Sequence, residues 1–249
     1  MLAVVLAASL AAQAPSAFVN AKLDTQAASS GLAAAVHALL GARPQPAWIA
    51  YAAPSVGGHM CCFDSVAKGE ATGWCCGGCR LEGRGSFQGA PKEAAPIPLE
   101  GRKLMHVLLR AEQGRVTRVQ AYSADCALDA GGLPVHWLSD VAPAESVALL
   151  AGLASGSAKL PLAAGFEVEE PLAGLAQHDD PSVDPALERL AASGPIESRK
   201  QAVFWMGQAR GRRGYAAVLR IAREDPSEEL REHAVFALSE SDVPRPWTP

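Results

Sequence analysis

The stretch Arg199–Met206, RKQAVFWM, returns later in the chain as Arg231–Leu238, REHAVFAL. The two copies are offset by about 32 residues, a spacing typical of stacked helical-hairpin repeats. The segments ahead of them are also alike: LERLAASGP (Leu187–Pro195) matches VLRIAREDP (Val218–Pro226) in pattern. Each copy therefore predicts one helix, a turn that contains proline, and a second helix.

The second helix of each copy is apolar over most of its circumference. In the first copy, Ala202, Met206 and Ala209 recur at helical spacing, and the adjacent Val203 and Phe204 are apolar too. A helix of this kind is covered on several sides, as the inner helix of a solenoid is by its neighbours. The predicted repeat core consists of Ala202, Phe204, Met206, Val218, Ala222, Ala234 and Leu238.

The helices AVFWMGQ (Ala202–Gln208) and AVFALSES (Ala234–Ser241) resemble HEAT-like repeats of the short bacterial type. The resemblance covers roughly residues 166–240, and the whole chain is similar to exported bacterial HEAT repeat domain-containing proteins of unassigned function. It implies an all-α HEAT-like α-solenoid at the C-terminus. The expected fold is therefore an α+β, Cys-rich N-terminal region with a β-hairpin, followed by that solenoid.

The N-terminus carries the pattern of an exported chain. Residues 1–14, MLAVVLAASLAAQA, form a short apolar run that ends in Ala12-Gln13-Ala14, a small-x-small cleavage signature. The run is too short to span a bilayer. We therefore expect a signal peptide that is cut after Ala14, no integral membrane segment in the mature chain, and a periplasmic or secreted location.

Local patterns in the first half predict a few regular elements. Gly31–Ala42 predicts a helix that ends before two prolines, and Trp48–Ala52 predicts a strand. Lys103–Arg110 and Arg115–Ser123 are strand-like and flank a short turn, where Gly114 is expected at positive φ. These two segments predict the β-hairpin.

Later patterns predict helices. Pro143–Leu153 begins with proline at the first helical position, Pro171–His178 follows a link of small residues, and Asp184-Pro185 and Asp225-Pro226 each begin another helix. The predicted divisions are a signal peptide (1–14), a Cys-rich α+β domain (15–140), a helix and linker (141–165) and helical repeats (166–249).

All six cysteines lie between residues 61 and 126, ahead of the predicted repeats. An even number of cysteines in an exported chain predicts a disulfide framework, although the sequence does not resolve the pairing. Residues 54–101 are rich in Gly, Pro and Cys, and long loops of this kind need such a restraint. The disulfide candidates are Cys61, Cys62, Cys75, Cys76, Cys79 and Cys126.

The same cluster allows a metal site as an alternative. Thiolate, thioether and imidazole groups together suit Cu(I) or Zn(II), and Cys76-x-x-Cys79 has the spacing of half a zinc site. An oxidising compartment favours disulfides over a bound metal, so no cofactor is expected. The alternative metal ligands are His59, Cys61, Cys62, Cys76 and Cys79.

Catalysis has weaker support in the sequence. Cys76-Gly77-Gly78-Cys79 matches the C-x-x-C of thiol oxidoreductases, but the glycine-rich segment after it will not readily form the helix that activates such a cysteine. A hydrolytic set of Cys126, His136 and Asp129 has no support from local spacing, since a Gly- and Pro-containing turn lies among them. No catalytic residues are therefore assigned.

The charge balance also excludes some functions. The net charge is −4 with both signs interspersed, which argues against nucleic acid as a partner. The leading hypothesis is a non-enzymatic exported binding or scaffold protein, whose repeat array presents a concave face to an unknown protein or peptide. The alternatives are an exported metal-binding protein and a thiol oxidoreductase or hydrolase built on the N-terminal half.

Overall fold

The computed structural model describes only part of the chain. The described residues are 18–42, 45–57, 78–83, 86–87, 103–124, 126–241 and 243. The predicted signal peptide and most of the cysteine-rich segment lie outside them. Among the predicted site residues, His59, Cys61, Cys62, Cys75 and Cys76 also lie outside the described residues.

The described residues form nine strands and seven helices. The strands are β1 (Phe18–Val19), β2 (Lys22–Ala27), β3 (Ala47–Pro54), β4 (Gly78–Arg80), β5 (Ser86–Phe87), β6 (Leu104–Glu112), β7 (Arg115–Ser123), β8 (Leu128–Asp129) and β9 (Pro134–Ser139). The helices are α1 (Leu32–Ala42), α2 (Pro143–Ala154), α3 (Glu169–Ala176), α4 (Val183–Ala192), α5 (Ile196–Ala209), α6 (Gly211–Glu224) and α7 (Glu228–Ser239).

A five-stranded mixed sheet lies at the centre, in the order β2-β9-β3-β6-β7. Strands β2, β9 and β3 are parallel, whereas β6 is antiparallel to both of its neighbours. The predicted hairpin is present as β6 and β7. Its turn places Gln113 and Gly114 at positive φ, which suits the right-handed twist of a two-residue hairpin. A smaller sheet has the order β1-β8-β4-β5.

Strand β3 shows how the central sheet separates two cores. Side chains alternate between the faces of a strand. Ile49 and Tyr51 accordingly belong to a large core with the helices, whereas Trp48 and Ala50 belong to a small core with the second sheet. Both faces of β3 are buried, which explains why its sequence is apolar without interruption.

The helices cover the face of the central sheet that carries the large core. Helix α2 contacts β3 and α3 contacts β7. The approach of α3 depends on Gly174, since a Cβ atom there would lie 3.2 Å from the Cβ of Ala121 on β7. Helices α4 to α7 extend this layer through contacts of α4 with α2 and of α5 with α3.

The prediction of an all-α HEAT-like α-solenoid after a separate α+β region is wrong. The described chain is mixed α/β, and one continuous core holds Val107 of β6, Leu172 of α3 and Val203 of α5. The repeat pattern identified helix faces that are apolar. Another helix or a sheet can bury such a face equally well, so the pattern did not distinguish stacked repeats from helices that cover a sheet.

The two copies of the repeated sequence form parts of helices α5 and α7. These helices pack side by side, with equivalent positions of the two copies in contact. Phe204 stacks on Phe236, and Gly207 approaches Ala237 so closely that an added Cβ atom would lie 3.1 Å from the Ala237 carbonyl oxygen. Of the predicted repeat core, the structure buries Ala202, Met206, Val218 and Ala234 and leaves Phe204, Ala222 and Leu238 partly exposed.

Candidate functional site

The described cysteines lie in the small core. Cys79 on β4 and Cys126 just before β8 are both buried, together with Trp48 and Leu108 of the central sheet. Their pairing, with each other or with cysteines outside the described residues, stays a prediction. Within the described ranges, no three His, Cys, Asp or Glu side chains come together as metal ligands.

The hydrolytic set that the sequence suggested is not assembled. Asp129 on β8 accepts hydrogen bonds from Asn20 Nδ2 at 3.2 Å and from the Gly131 amide at 2.9 Å. His136 lies on β9 instead, with its Nδ1 3.4 Å from a carboxylate oxygen of Asp24 on β2. Asp129 therefore orders its own turn, and His136 is paired within the central sheet.

A polar cluster holds the end of β4 against the central sheet. Glu82 accepts hydrogen bonds from Arg110 Nε at 2.6 Å and from the indole of Trp48 at 2.9 Å. Arg118 donates to the carbonyl oxygen of Leu81 at 2.6 Å, and its guanidinium lies over the Trp48 ring. These charged groups are used within the fold, so the cluster has a structural role.

A buried hydrogen-bond chain joins the sheet to the helices, and sequence reasoning missed it. Tyr51 lies on β3, Ser146 on α2 and His178 just after α3, and all three are fully buried. The Tyr51 hydroxyl lies 2.8 Å from Ser146 Oγ, which lies 2.7 Å from His178 Nε2. His178 Nδ1 lies 2.8 Å from the carbonyl oxygen of Gly174.

A single arrangement of protons satisfies this chain when the His178 ring is neutral. A carbonyl can only accept, so His178 Nδ1 donates to Gly174, and Nε2 accepts from the Ser146 hydroxyl. Ser146 Oγ in turn accepts from Tyr51. Burial lowers the pKa of His178 to about 4 and raises the pKa of Tyr51, so both groups are neutral at pH 7.

Ser146 and His178 have the atoms of a nucleophile and its base, but their surroundings indicate a structural role. Neither side chain reaches the surface, so no substrate can approach Ser146 Oγ in this conformation. The partner of His178 Nδ1 is a backbone carbonyl, which lacks the negative charge that stabilises an imidazolium in hydrolytic triads. This chain of hydrogen bonds therefore fixes the position of α2 and α3 on the sheet.

Arg210, between α5 and α6, holds the C-terminal end of α3 in place. Its Nη1 donates to the carbonyl oxygens of His178 at 2.7 Å and Ala176 at 3.0 Å, and its Nε donates to Asp184 at 2.5 Å. These carbonyls lie at the C-terminal end of α3, where helical partners run out. Arg210 is buried, and its Nε and Nη1 atoms hydrogen-bond within the fold, so these atoms have a structural role.

An apolar groove lies between α1 and α2, and we call it the α1–α2 groove. Its volume is about 530 Å³, within the range of ligand sites. The floor is formed by the buried side chains of Leu32, Leu149 and Leu160, and small residues such as Ala34 and Ala148 form the exposed walls. The groove stays open because its walls carry no side chain larger than a methyl group at these positions.

One acidic and one basic side chain border the α1–α2 groove. Glu145 lies in the first turn of α2, with a carboxylate oxygen near Gly31 at the start of α1. Lys159 follows Ala158, whose atoms lie against Gly152 on the same helix. Glu145 and Gly152 are seven residues apart on α2, so their backbones are separated by about 10 Å along the groove.

None of the helices that the structure describes combines the length and hydropathy needed to cross a bilayer. Comparison of the chain with protein-family models, with curated proteins and with solved structures finds no match.

Proposed function

We propose that this chain is an exported, non-enzymatic binding protein that holds a short apolar peptide segment in the α1–α2 groove. The observation that carries the proposal is the groove itself, with a leucine floor, small walls and one charge of each sign at its border. Such a site combines apolar burial with a few polar groups that fix orientation. This proposed surface differs from the concave repeat face that the sequence predicted as the binding surface.

The dimensions favour a peptide of about three residues. An extended strand rises about 3.3 Å per residue, so three residues span the roughly 10 Å along α2 between the Glu145 and Gly152 positions. A basic group on the peptide would pair with Glu145 and an acidic group with Lys159. The leucine floor would bury the apolar side chain between them.

The sealed Ser146–His178 pair supports binding over hydrolysis at that location, since a nucleophile must reach its substrate. Export is supported by the sequence of residues 1–14 and by the even number of cysteines. Metal binding and thiol oxidoreduction stay alternative predictions, because all of their candidate ligands except Cys79 lie outside the described residues.

The test is a titration of ¹⁵N-labelled protein with three blocked peptides, Ac-Lys-Leu-Ala-Glu-NH₂, its reverse sequence Ac-Glu-Ala-Leu-Lys-NH₂, and the neutral Ac-Gln-Leu-Ala-Gln-NH₂. We expect amide shifts in α1 and α2, and about tenfold tighter binding of one charged peptide than of the neutral one at low salt.

Matched variants locate the binding. Ala34→Trp fills the groove and should abolish the shifts, whereas Ala38→Trp places the same side chain one turn further along α1, at an exposed position that does not line the groove. Binding that is absent, or that survives Ala34→Trp, contradicts the proposal.

A further inference from the structure

We propose that the outer edge of β2 is an interface where a second copy of this chain adds its own β2 in antiparallel orientation, which joins the two central sheets into one. Strand β2 is the first in the order β2-β9-β3-β6-β7, so its outer side has no strand partner among the described residues. The residues of β2 do not line the α1–α2 groove, so this inference goes beyond the peptide-binding proposal and does not depend on it.

The hydrogen bonds to β9 show which backbone groups of β2 face the outer edge. The Lys22 amide donates to the carbonyl oxygen of Leu133, directly before β9. In a parallel ladder every second residue of a strand bonds to the same neighbour, so the even-numbered residues of β2 bond to β9. The backbone N–H and C=O groups of Leu23, Thr25 and Ala27 therefore point away from the sheet, where another strand can bond to them.

Strand β2 is accessible on both faces as well as along its edge. All six of its residues are exposed, so neither the helices nor the small sheet covers it. Leu23 is 42% exposed and is one of the few large apolar side chains that are exposed in the described part of the chain. Proline and bulges commonly block sheet edges, and β2 has neither a proline nor a break in its register with β9.

The sequence Lys22-Leu23-Asp24 is complementary to itself when two copies of β2 pair about Leu23. A two-fold axis at Leu23 places Lys22 of each copy directly opposite Asp24 of the other. Opposite charges at such positions stabilise a pair of strands, whereas like charges destabilise it. A lysine on an edge strand ordinarily discourages pairing, but here each lysine meets a carboxylate. Asp24 also lies beside His136 on β9, and a carboxylate accepts bonds on two oxygens, so it can serve both groups.

The neighbouring symmetric registers fit less well. A centre on Asp24 places the two Asp24 carboxylates opposite each other, which is destabilising. A centre on Thr25 places Asp24 opposite Gln26 and gives up the pairing with Lys22. The centre on Leu23 forms both ion pairs, and the outward-facing backbone groups of the two Leu23 residues exchange hydrogen bonds.

The expected dimer is weak. A standard interface buries about 800 Å² on each partner, and one short strand edge buries less than this. We therefore expect a monomer at low micromolar concentration and a dissociation constant of about 0.1–1 mM. Because two ion pairs contribute, the dimer should weaken as the salt concentration rises.

The first test is sedimentation equilibrium of the full chain between about 10 µM and about 1 mM. Leu23→Lys places two lysines opposite each other at the axis and should raise the dissociation constant at least about tenfold. Thr25→Lys is the matched control, because it adds the same charge on the same face, where it lies opposite Ala21 of the second copy. It should change the constant less than about twofold. Both positions are exposed, so neither variant should unfold the protein.

A parent chain that stays monomeric throughout this range would overturn the proposal. So would a Thr25→Lys variant that weakens the dimer as much as Leu23→Lys, because the two strands would then not pair about Leu23.

Charge reversal supplies an independent test of the ion pairs. Lys22→Asp and Asp24→Lys each place like charges opposite one another, so each variant alone should be monomeric. In an equimolar mixture, one variant contributes two acidic residues and the other two lysines, so dimers should return with a dissociation constant within about threefold of the parent value. A mixture that remains monomeric would contradict the proposed pairing.

Hydrogen exchange distinguishes a second copy from another segment of the same chain. The Leu23 and Thr25 amides should exchange rapidly at low protein concentration and become protected as the dimer forms. The Lys22 and Asp24 amides, which face β9, should be protected at every concentration and are the internal control. Protection of the Leu23 and Thr25 amides that does not depend on concentration would show that the edge is paired within one chain, and the proposal would be wrong.

Discussion

The two faces of the central sheet are covered by different means. On one face, helices α1, α2 and α3 complete a large apolar core, and the buried Tyr51–Ser146–His178 chain has every hydrogen bond satisfied. On the other face, strands of two or three residues complete a small core that contains Cys79 and Cys126. The first face is held by apolar burial, whereas the second has little apolar area with which to offset the entropy of its loops.

The difference between the two faces predicts which of them contributes more to the free energy of unfolding. Regions with few buried apolar contacts open at low free energy unless something else restrains them. We therefore expect the helical face to set the global stability, and the small sheet to depend on local restraints such as the Glu82–Arg110 ion pair and, if they form, disulfides. The following predictions test that division, beginning with the largest effect expected from a change in a single group.

The first prediction concerns the large core. Leu150 on α2 is fully buried, so Leu150→Ala should lower the free energy of unfolding by about 2–5 kcal/mol. Urea denaturation followed by circular dichroism measures this loss. Leu23→Ala is the matched control, because Leu23 is 42% exposed on the edge strand β2, and it should cost less than about 1 kcal/mol. Equal losses in the two variants would mean that the helical face does not dominate.

The second prediction concerns the small core. If Cys79 and Cys126 belong to disulfides, reduction should lower the free energy of local opening there by about 2–4 kcal/mol. Hydrogen exchange with and without a reductant measures this at the Cys79 and Leu81 amides, which donate to Ala127 and Asp129. Amides of β3 serve as the internal control. An equal change in β3 would show that the two faces are not independent, and no change would show that no disulfide braces this region.

Sequence reasoning found the elements whose signals are local. The hairpin of β6 and β7, strand β3 and the helix α2 all lie where alternation, helical spacing or a terminal proline placed them. Strand β2 was missed because all of its side chains are exposed and mostly polar, so it lacks the apolar alternation of a strand. Strand β9 was missed because its segment reads as a crossing after a turn, although it pairs between β2 and β3.

The candidate sites depend on packing that no local pattern encodes. Ser146 and His178 are 32 residues apart, and Tyr51 is 95 residues from Ser146. A serine on the apolar side of α2 was the one available signal, since a buried hydroxyl requires a partner. The α1–α2 groove likewise exists only because α1 packs beside α2, and the small walls that keep it open were indistinguishable from ordinary helix-forming alanines.

The third prediction concerns the loss of stability at acidic pH. Burial lowers the pKa of His178 on the helical face and of His106 on the other face to about 4. An unfolded histidine has its pKa near 6.5, so below that pH the unfolded state binds protons that the folded state does not. Stability should therefore be complete above pH 6.5 and fall towards pH 4, by about 3 kcal/mol for each histidine.

Urea denaturation at a series of pH values measures this slope, and variants that lack one histidine should each remove about half of it. A free energy of unfolding that stays flat between pH 6.5 and pH 4.5 would show that neither group is held neutral.

The last prediction has the smallest expected effect. It compares the stability changes caused by substituting each of the two histidines at pH 8, where both side chains are neutral. His106 packs against Phe18 and Trp137, and its Nδ1 has no hydrogen-bond partner among the described residues. His106→Phe keeps the ring contacts and removes that polar atom, so stability should change by less than about 1 kcal/mol. His178→Phe leaves Ser146 and the Gly174 carbonyl without their partner and should cost about 2 kcal/mol. If His106→Phe proved as costly as His178→Phe, the small core would be as specifically packed as the large one, and the contrast between the two faces would be lost.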